Sequence, residues 1–379
     1  MINMTASIYL DYAATTPMDI SVIEKMTDTM RNHYGNASSI HQYGRNSKKL
    51  LEHARKTVAE YINALPEEII FTSGGTESDN TAILMGAHAR SDRGRHIITT
   101  AVEHEAVLKP LKRLEAEGFE VTYLPVGITG ELDFEHFKEA VRQDTILVSI
   151  MSVNNEVGTI FPIEKIGAFL SERDILFHTD AVQAFGPLKI DVKKAKIDLL
   201  SASAHKIYGP KGVGFLYKRK NIAIPSFMLG GNQERKQRAG TENLPAIVGF
   251  EQAVCHMKAN RAQFNQHAVN LREQLIYELN HQAINFQING NLSQQVPHII
   301  NLYFPNKLAE QLLIQLDLKQ IAVSAGSACT AGSIKPSHVL QSMYGDQSDR
   351  LMHSIRVSMG AFTTEKDIKD FVKVLKEIV

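Results

Sequence analysis

The chain of 379 residues has no tryptophan, two cysteines and no net charge, its 41 Lys and Arg balanced by 41 Asp and Glu. That balance argues against a general nucleic-acid or membrane-surface binder, which carries a basic excess. A local basic patch for one partner stays compatible with it. No apolar run approaches the roughly 20 residues that a membrane span requires. No charged segment followed by an apolar stretch opens the chain, so no signal peptide is expected and the protein is expected in the cytoplasm. In that reducing compartment Cys255 and Cys329 are not expected to form a disulfide. No Cys-x-x-Cys or His-Cys cluster offers a metal site. What the two cysteines leave open is whether either is reactive.

The length predicts two domains, and 44% hydrophobic with 22% charged residues is ordinary for a soluble globular protein. Short apolar runs alternate with helical patterns: residues 68–72, 96–100, 145–151, 175–180, 198–201 and 212–217 read as strands. This spacing predicts an α/β fold with a mainly parallel sheet. Residues 228–245 are polar and Gly-rich without period, which predicts a long loop. A long helix is expected from about 246 to 281. Beyond it, strands near 299–304, 321–324 and 355–358 and an amphipathic helix over 364–378 predict a smaller α+β domain.

Several strand ends carry chemistry. Lys206 follows the run Asp198–Ser201 and the small residues Ala202, Ser203 and Ala204. A lysine there has a lowered pKa and suits a Schiff base, although a surface lysine beside a Gly-Pro turn is the plainer reading. Asp180 ends another strand, where α/β sheets bind ligands. It suits the pyridinium nitrogen of pyridoxal 5'-phosphate (PLP), or it caps the next helix. Gln183 could donate to the ring oxygen. The turn Gly74-Gly75-Thr76 opens a helix and suits a phosphate, but it matches neither a P-loop nor a dinucleotide fingerprint. His104 could stack on a ring and move protons, or face solvent at a helix start. Asn155, or its neighbour Asn154, could bond the cofactor's phenolic oxygen or simply form a turn.

Cys329 sits among Gly326, Ser327, Ala328, Thr330 and Ala331, small neighbours that leave a thiol accessible. Cys255 lies in an apolar helical pattern and is expected to be inert core. Arg356, flanked by Ile355 and Val357, is costly there unless it grips a carboxylate, either of a substrate or of an internal acid.

Taken together, Tyr9 to Pro17, Gly35 to His41, Gly74 to Glu77, His104, Asn154 to Glu156, His178 to Gln183, Ser203 to Lys206, Arg238 to Asn243 and Gly326 to Thr330 resemble the cysteine desulfurases of the NifS/IscS type, in the class V aminotransferase group. The resemblance runs nearly end to end. It implies PLP fold type I, with a seven-stranded sheet in a large domain (15–255). A smaller domain (1–14 and 256–379) would carry the reactive-cysteine loop, about 324–336. It implies a homodimer, L-cysteine as substrate, PLP as cofactor and a sulfur-acceptor protein as partner. Lys206 would be the Schiff-base lysine and Cys329 the persulfide carrier. His104 would stack on the ring, Asp180 would bond its nitrogen, and Asn155 and Gln183 would hold its oxygen side. Gly75, Thr76, Ser203 and His205 would hold the phosphate, with Thr241 reaching in from the other subunit. Arg356 would take the substrate carboxylate, helped by Asn36, with Asn155 also on the substrate side. One departure is Ala361, where a basic residue is expected. An aminotransferase or a selenocysteine-specific lyase of the same fold are the near rivals, and a PLP-containing binding scaffold a more distant one.

Overall fold

The computed structural model describes residues 7–325 and 336–379. Its centre is a sheet of β1 (Ile69–Thr72), β2 (His96–Thr100), β3 (Glu120–Leu124), β4 (Thr145–Ser149), β5 (Leu176–Asp180), β6 (Leu199–Ser203) and β7 (Gly214–Lys218). The spatial order is β1-β7-β6-β5-β4-β2-β3. β7 runs antiparallel to β1 and β6, and the other pairs are parallel. Strands β1, β2, β4, β5 and β6 are buried along their length. That is why they read as continuous apolar runs rather than alternating ones. β3 escaped the sequence reading because it is an edge strand in which only Leu124 is buried.

Helix α1 (Gly75–Asn80) follows β1 and continues through a π-helical turn, Thr81–Met85. α2 (Glu105–Ala116) follows β2 and is capped by His104. α3 (Leu244–His281) is the long helix, capped by the Asn243 side chain. Beyond it come α4 (His338–Tyr344) and α5 (Glu365–Ile378). Thr364 and Asp367 cap α5 reciprocally, satisfying two backbone donors at its start.

A second, antiparallel sheet has the order β10-β9-β8, with β8 (Gln287–Asn289), β9 (Ile299–Tyr303) and β10 (Ser354–Ser358). Ile8–Tyr9 pairs in parallel with Ile321–Ala322, tying the N-terminal segment to this part of the chain. Leu10, Leu275, Leu302, Phe304, Val357 and Phe371 belong to one apolar core. Phe177, Phe185, Phe215 and Phe250 belong to another, beneath the large sheet.

The expected loop at 228–245 is largely irregular but contains three consecutive left-handed residues: Glu234 (φ 45°), Arg235 (55°) and Lys236 (66°). Side chains disfavour that conformation, so surrounding structure must hold it. Glu234 supplies the hold. It makes a bidentate pair with buried Arg55 at 2.6 and 2.8 Å and accepts the Phe71 amide at 2.9 Å.

Cys255 is exposed, not core. The α3 period turns Val254 and Met257 inward and leaves residue 255 on the outer face.

Candidate active site

Parallel strands place their carboxyl ends along one edge of the sheet, and most of the predicted site residues gather there. Ser203 closes β6, and a single 3-10 turn, Ala204–Lys206, follows it. Lys206 Nζ donates to the Ala13 carbonyl at 2.5 Å and to the Ala14 carbonyl at 2.8 Å. Gln183 Nε2 donates to the same Ala13 oxygen at 2.9 Å. Enclosure of the ammonium pulls Lys206 down to about 8; nearby Arg356 adds to this, and Asp180 and Asp11 oppose it.

Asp180 closes β5, buried, and its Oδ1 accepts the Val182 amide at 2.8 Å. No helix follows β5, so Asp180 caps a turn and not the expected helix, and the carboxylate is left able to serve a ligand as well. Burial raises its pKa, nearby Asp79 adds to the rise, and His104 and His178 oppose it. A buried carboxyl raised in this way favours a cationic ligand group.

A cavity of about 350 Å³ is lined by Ala14, Thr15, Gly74, Gly75, Thr76, Ser203, His205 and Lys211, among others. Gly75 is required here: a Cβ would stand 2.7 Å from Val182 Cγ2. His205 Nδ1 lies 3.1 Å from Thr15 Oγ1. Burial, with the charges of Lys206 and Lys211, lowers His205 to about 4. The hydroxyls of Thr76 and Ser203, the imidazole and the Lys211 ammonium form a donor set suited to a phosphate dianion. Lys211 and Thr15 escaped the sequence reading. The signal for Lys211 was a second lysine just past the Gly209-Pro210 turn; Thr15 comes from the other end of the chain.

His104 accepts the Ala106 amide through Nδ1 at 3.1 Å, as the cap of α2. Its ring is solvent-accessible, yet enough protein surrounds it to lower its pKa, with Asp180 opposing and Lys206 reinforcing the shift. Next to it, buried Glu103 accepts from Thr100 Oγ1 at 2.6 Å and from the Met151 amide at 3.1 Å. Burial raises Glu103 to about 8. An acid of this kind, between β2 and α2, reads as solvent-facing in sequence and was not anticipated.

Arg356 lies within β10 and is 3% exposed. Its Nη2 meets Asp11 Oδ1 at 2.8 Å and its Nη1 donates to the Asn155 carbonyl at 2.8 Å, while Nε has no partner. The internal-acid reading is thus present, with one buried donor still unmatched. Asn155 joins the site through this carbonyl. Asn36 is exposed and takes the Ser38 amide within its own turn at 2.8 Å. Thr241 is exposed just ahead of α3. A single chain does not bring these two to the others.

Cys329, with Gly326 and Gly332, lies outside the described residues. The residues flanking it are tied to the site. Ser324 and Arg356 exchange backbone hydrogen bonds at 3.2 and 2.6 Å. His338 Nε2 lies 2.8 Å from the Glu103 carbonyl, and Ser337 Oγ donates to buried Glu156. At the departure noted in sequence, Ala361 contributes its amide, which donates to Tyr208 Oη at 2.7 Å. Any residue except proline supplies that donor.

A family model described as Aminotransferase class-V matches residues 8–371. The chain belongs to the aminotransferase class-V family. Among its class-V relatives, "Putative cysteine desulfurase IscS 1" of Bacillus subtilis (strain 168) is 50% identical over 372 residues, covering 98% of each chain. A solved structure titled "NIFS-LIKE PROTEIN" superposes with a TM-score of 0.92 at 37% identity, over 98% of this chain and 99% of that one. Another, "SspA in complex with cysteine", gives 0.83 at 35% identity, over 94% and 100%. Among the described residues, no helix is long and apolar enough to cross a membrane, and no cluster of His, Cys, Asp and Glu could hold a metal ion.

Proposed function

We propose that this chain is a PLP-dependent cysteine desulfurase, converting L-cysteine to L-alanine and retaining the sulfur as a persulfide on Cys329. One observation carries the reading. Lys206, buried Asp180 and the Gly75–Thr76–Ser203 cavity lie at one sheet edge, and the residues flanking Cys329 are bonded to Arg356 and Glu103 beside it.

The residues fit PLP. The Thr76, Ser203, His205 and Lys211 donors suit its phosphate, Asp180 its ring nitrogen and Lys206 its aldehyde, with Asn155 and Gln183 on the ring-oxygen side. When bound, PLP supplies an electron sink for the pair released at the substrate Cα. Arg356 orients L-cysteine by its carboxylate through a charge-assisted contact. The Lys206 amine, drawn down to about 8 and so increasingly neutral as pH rises through that value, removes the Cα proton. The Cys329 thiolate attacks the substrate sulfur, so an S–S bond forms as the Cβ–S bond breaks. The electron pair left on carbon is protonated and alanine departs. His104 handles the proton at the thiol.

The same reading places residues 15–255 in a large domain and 1–14 with 256–379 in a smaller one. It makes the protein a cytoplasmic homodimer in which Thr241 and Asn36 serve the neighbouring site. Exposed Ile20, Tyr34, Ile40 and Leu229 are large apolar side chains that a second copy would cover. The persulfide goes to an acceptor protein, for iron–sulfur clusters, tRNA thiolation or cofactor synthesis.

The test is a spectrum of the protein with PLP before and after L-cysteine, with alanine and sulfide assayed in the same tube. A band that changes, with alanine and sulfide formed together, supports desulfuration. Exchange of amino groups with a 2-oxo acid, without sulfide, would make the chain an aminotransferase.

A further inference from the structure

Asp79 lies on α1, four positions past Gly75, and is 1% exposed. Its Oδ1 has no hydrogen-bond partner and stands 3.5 Å from His178 Nε2. His178 is wholly buried on β5, with Nδ1 2.8 Å from Ser149 Oγ and Nε2 3.1 Å from Ser201 Oγ. It precedes Asp180 by two residues, so both side chains leave the same face of the sheet. An unmatched carboxyl oxygen in the interior is costly, and among the described residues no Lys or Arg is paired with Asp79. None of the roles proposed above uses Asp79 or His178.

Resting on that reading of the site, we propose that Asp79 is a positioning residue for the cofactor nitrogen: with His178 it adds a second negative charge behind Asp180 and so holds the ring nitrogen protonated. Burial lowers His178 to about 4, so its imidazole is neutral. With Ser149 donating to Nδ1, the Nε2–H points to Ser201 and Asp79. Burial raises both Asp79 and Asp180, and Asp79 contributes to the rise at Asp180. Like charges in one buried site oppose ionisation of both until a cation joins them. The other groups facing the pair are Glu103, His104 and Lys206. Glu103, raised to about 8, is uncharged at neutral pH; His104, lowered, is neutral; Lys206 loses its ammonium on linking to the cofactor. Asp79, raised to about 7, is partly ionised at neutral pH before the cofactor binds, and of these groups it is the one whose charge the ring cation would complete.

Two readouts on full-length, PLP-loaded Asp79→Asn test this: the pH midpoint of the cofactor's ring nitrogen, read by nitrogen-15 NMR of labelled PLP, and the Kd for PLP of the stripped chain. Removing a negative charge disfavours the protonated form, so the midpoint should fall by about 0.5 to 1 pH unit and the Kd should weaken about 3- to 10-fold. His178→Gln should shift both in the same direction, and it stands in if Asp79→Asn does not fold. Asp79→Glu should restore part of the midpoint. A loaded variant whose midpoint matches wild type to within about 0.2 units overturns the inference, even if its melting temperature falls, since that is the mark of a structural role alone. A wild-type chain that takes up no PLP overturns the functional reading, and this inference with it.

Discussion

Lys206 Nζ and Gln183 Nε2 donate to the same carbonyl oxygen, that of Ala13, at 2.5 and 2.9 Å. A segment beginning near Asp11 therefore fixes the lysine at the end of β6. A neutral amine has two hydrogens, and Ala13 and Ala14 accept both. Its remaining lone pair is then what reacts.

From this geometry follows a pH dependence. Lys206 is drawn down from 10.5 to about 8, so the nucleophilic, neutral form gains population as pH rises through 8. The rate at which the stripped chain links PLP should climb through about pH 8 and level off about one unit above it, as stopped-flow absorbance would record. A rate still climbing to about pH 10 would show a lysine without this environment. Lys206→Ala should abolish the link and lower turnover by about 10³-fold or more, the scale of a lost general acid–base group.

The Arg356 guanidinium meets Asp11 and the Asn155 carbonyl and keeps Nε unmatched. Arg356→Lys retains the charge but loses the planar fork. It should raise the KM for L-cysteine about 10- to 100-fold, the worth of one charge-assisted contact, with a smaller change in kcat. Steady-state kinetics on alanine formation would measure this. An unchanged KM would assign Arg356 to Asp11 alone.

Arg55 and Glu234 are 2% and 3% exposed in their side chains and hold the left-handed turn at 234–236 against β1. Removing Glu234 leaves buried Arg55 with only the longer carboxylate contact, to Glu52 at 3.4 Å, so Glu234→Ala should destabilise the fold by about 3 kcal/mol, the lower end for a broken buried pair. Denaturant unfolding would read it as a lowered midpoint. A loss below about 1 kcal/mol would mean that the turn is held by other contacts.

Legibility in the sequence followed burial and strand position. Lys206, Asp180 and Thr76 were readable because each stands where an apolar run ends, and that edge of a parallel sheet is where ligands bind. β3 was not, since only Leu124 of it is buried and it carries no apolar run. Asp79 and Glu103 were hidden because an acid beside a helix start reads as solvated, and only the folded chain shows that it is enclosed. The period of α3 was visible, but its phase at Cys255 was misjudged. Asn36 and Thr241 came from the resemblance, and one chain leaves both at its surface.

The central claim is that sulfur leaves L-cysteine for Cys329, and intact-protein mass spectrometry tests it most directly. PLP-loaded wild type and Cys329→Ser would each be mixed with one equivalent of L-cysteine without reductant. The account predicts one added sulfur atom on wild type, located at Cys329 and matched by one alanine. In Cys329→Ser it predicts none, with the cofactor's absorbance retained. Added sulfur in Cys329→Ser, or full sulfide release from it under reductant, would contradict the account.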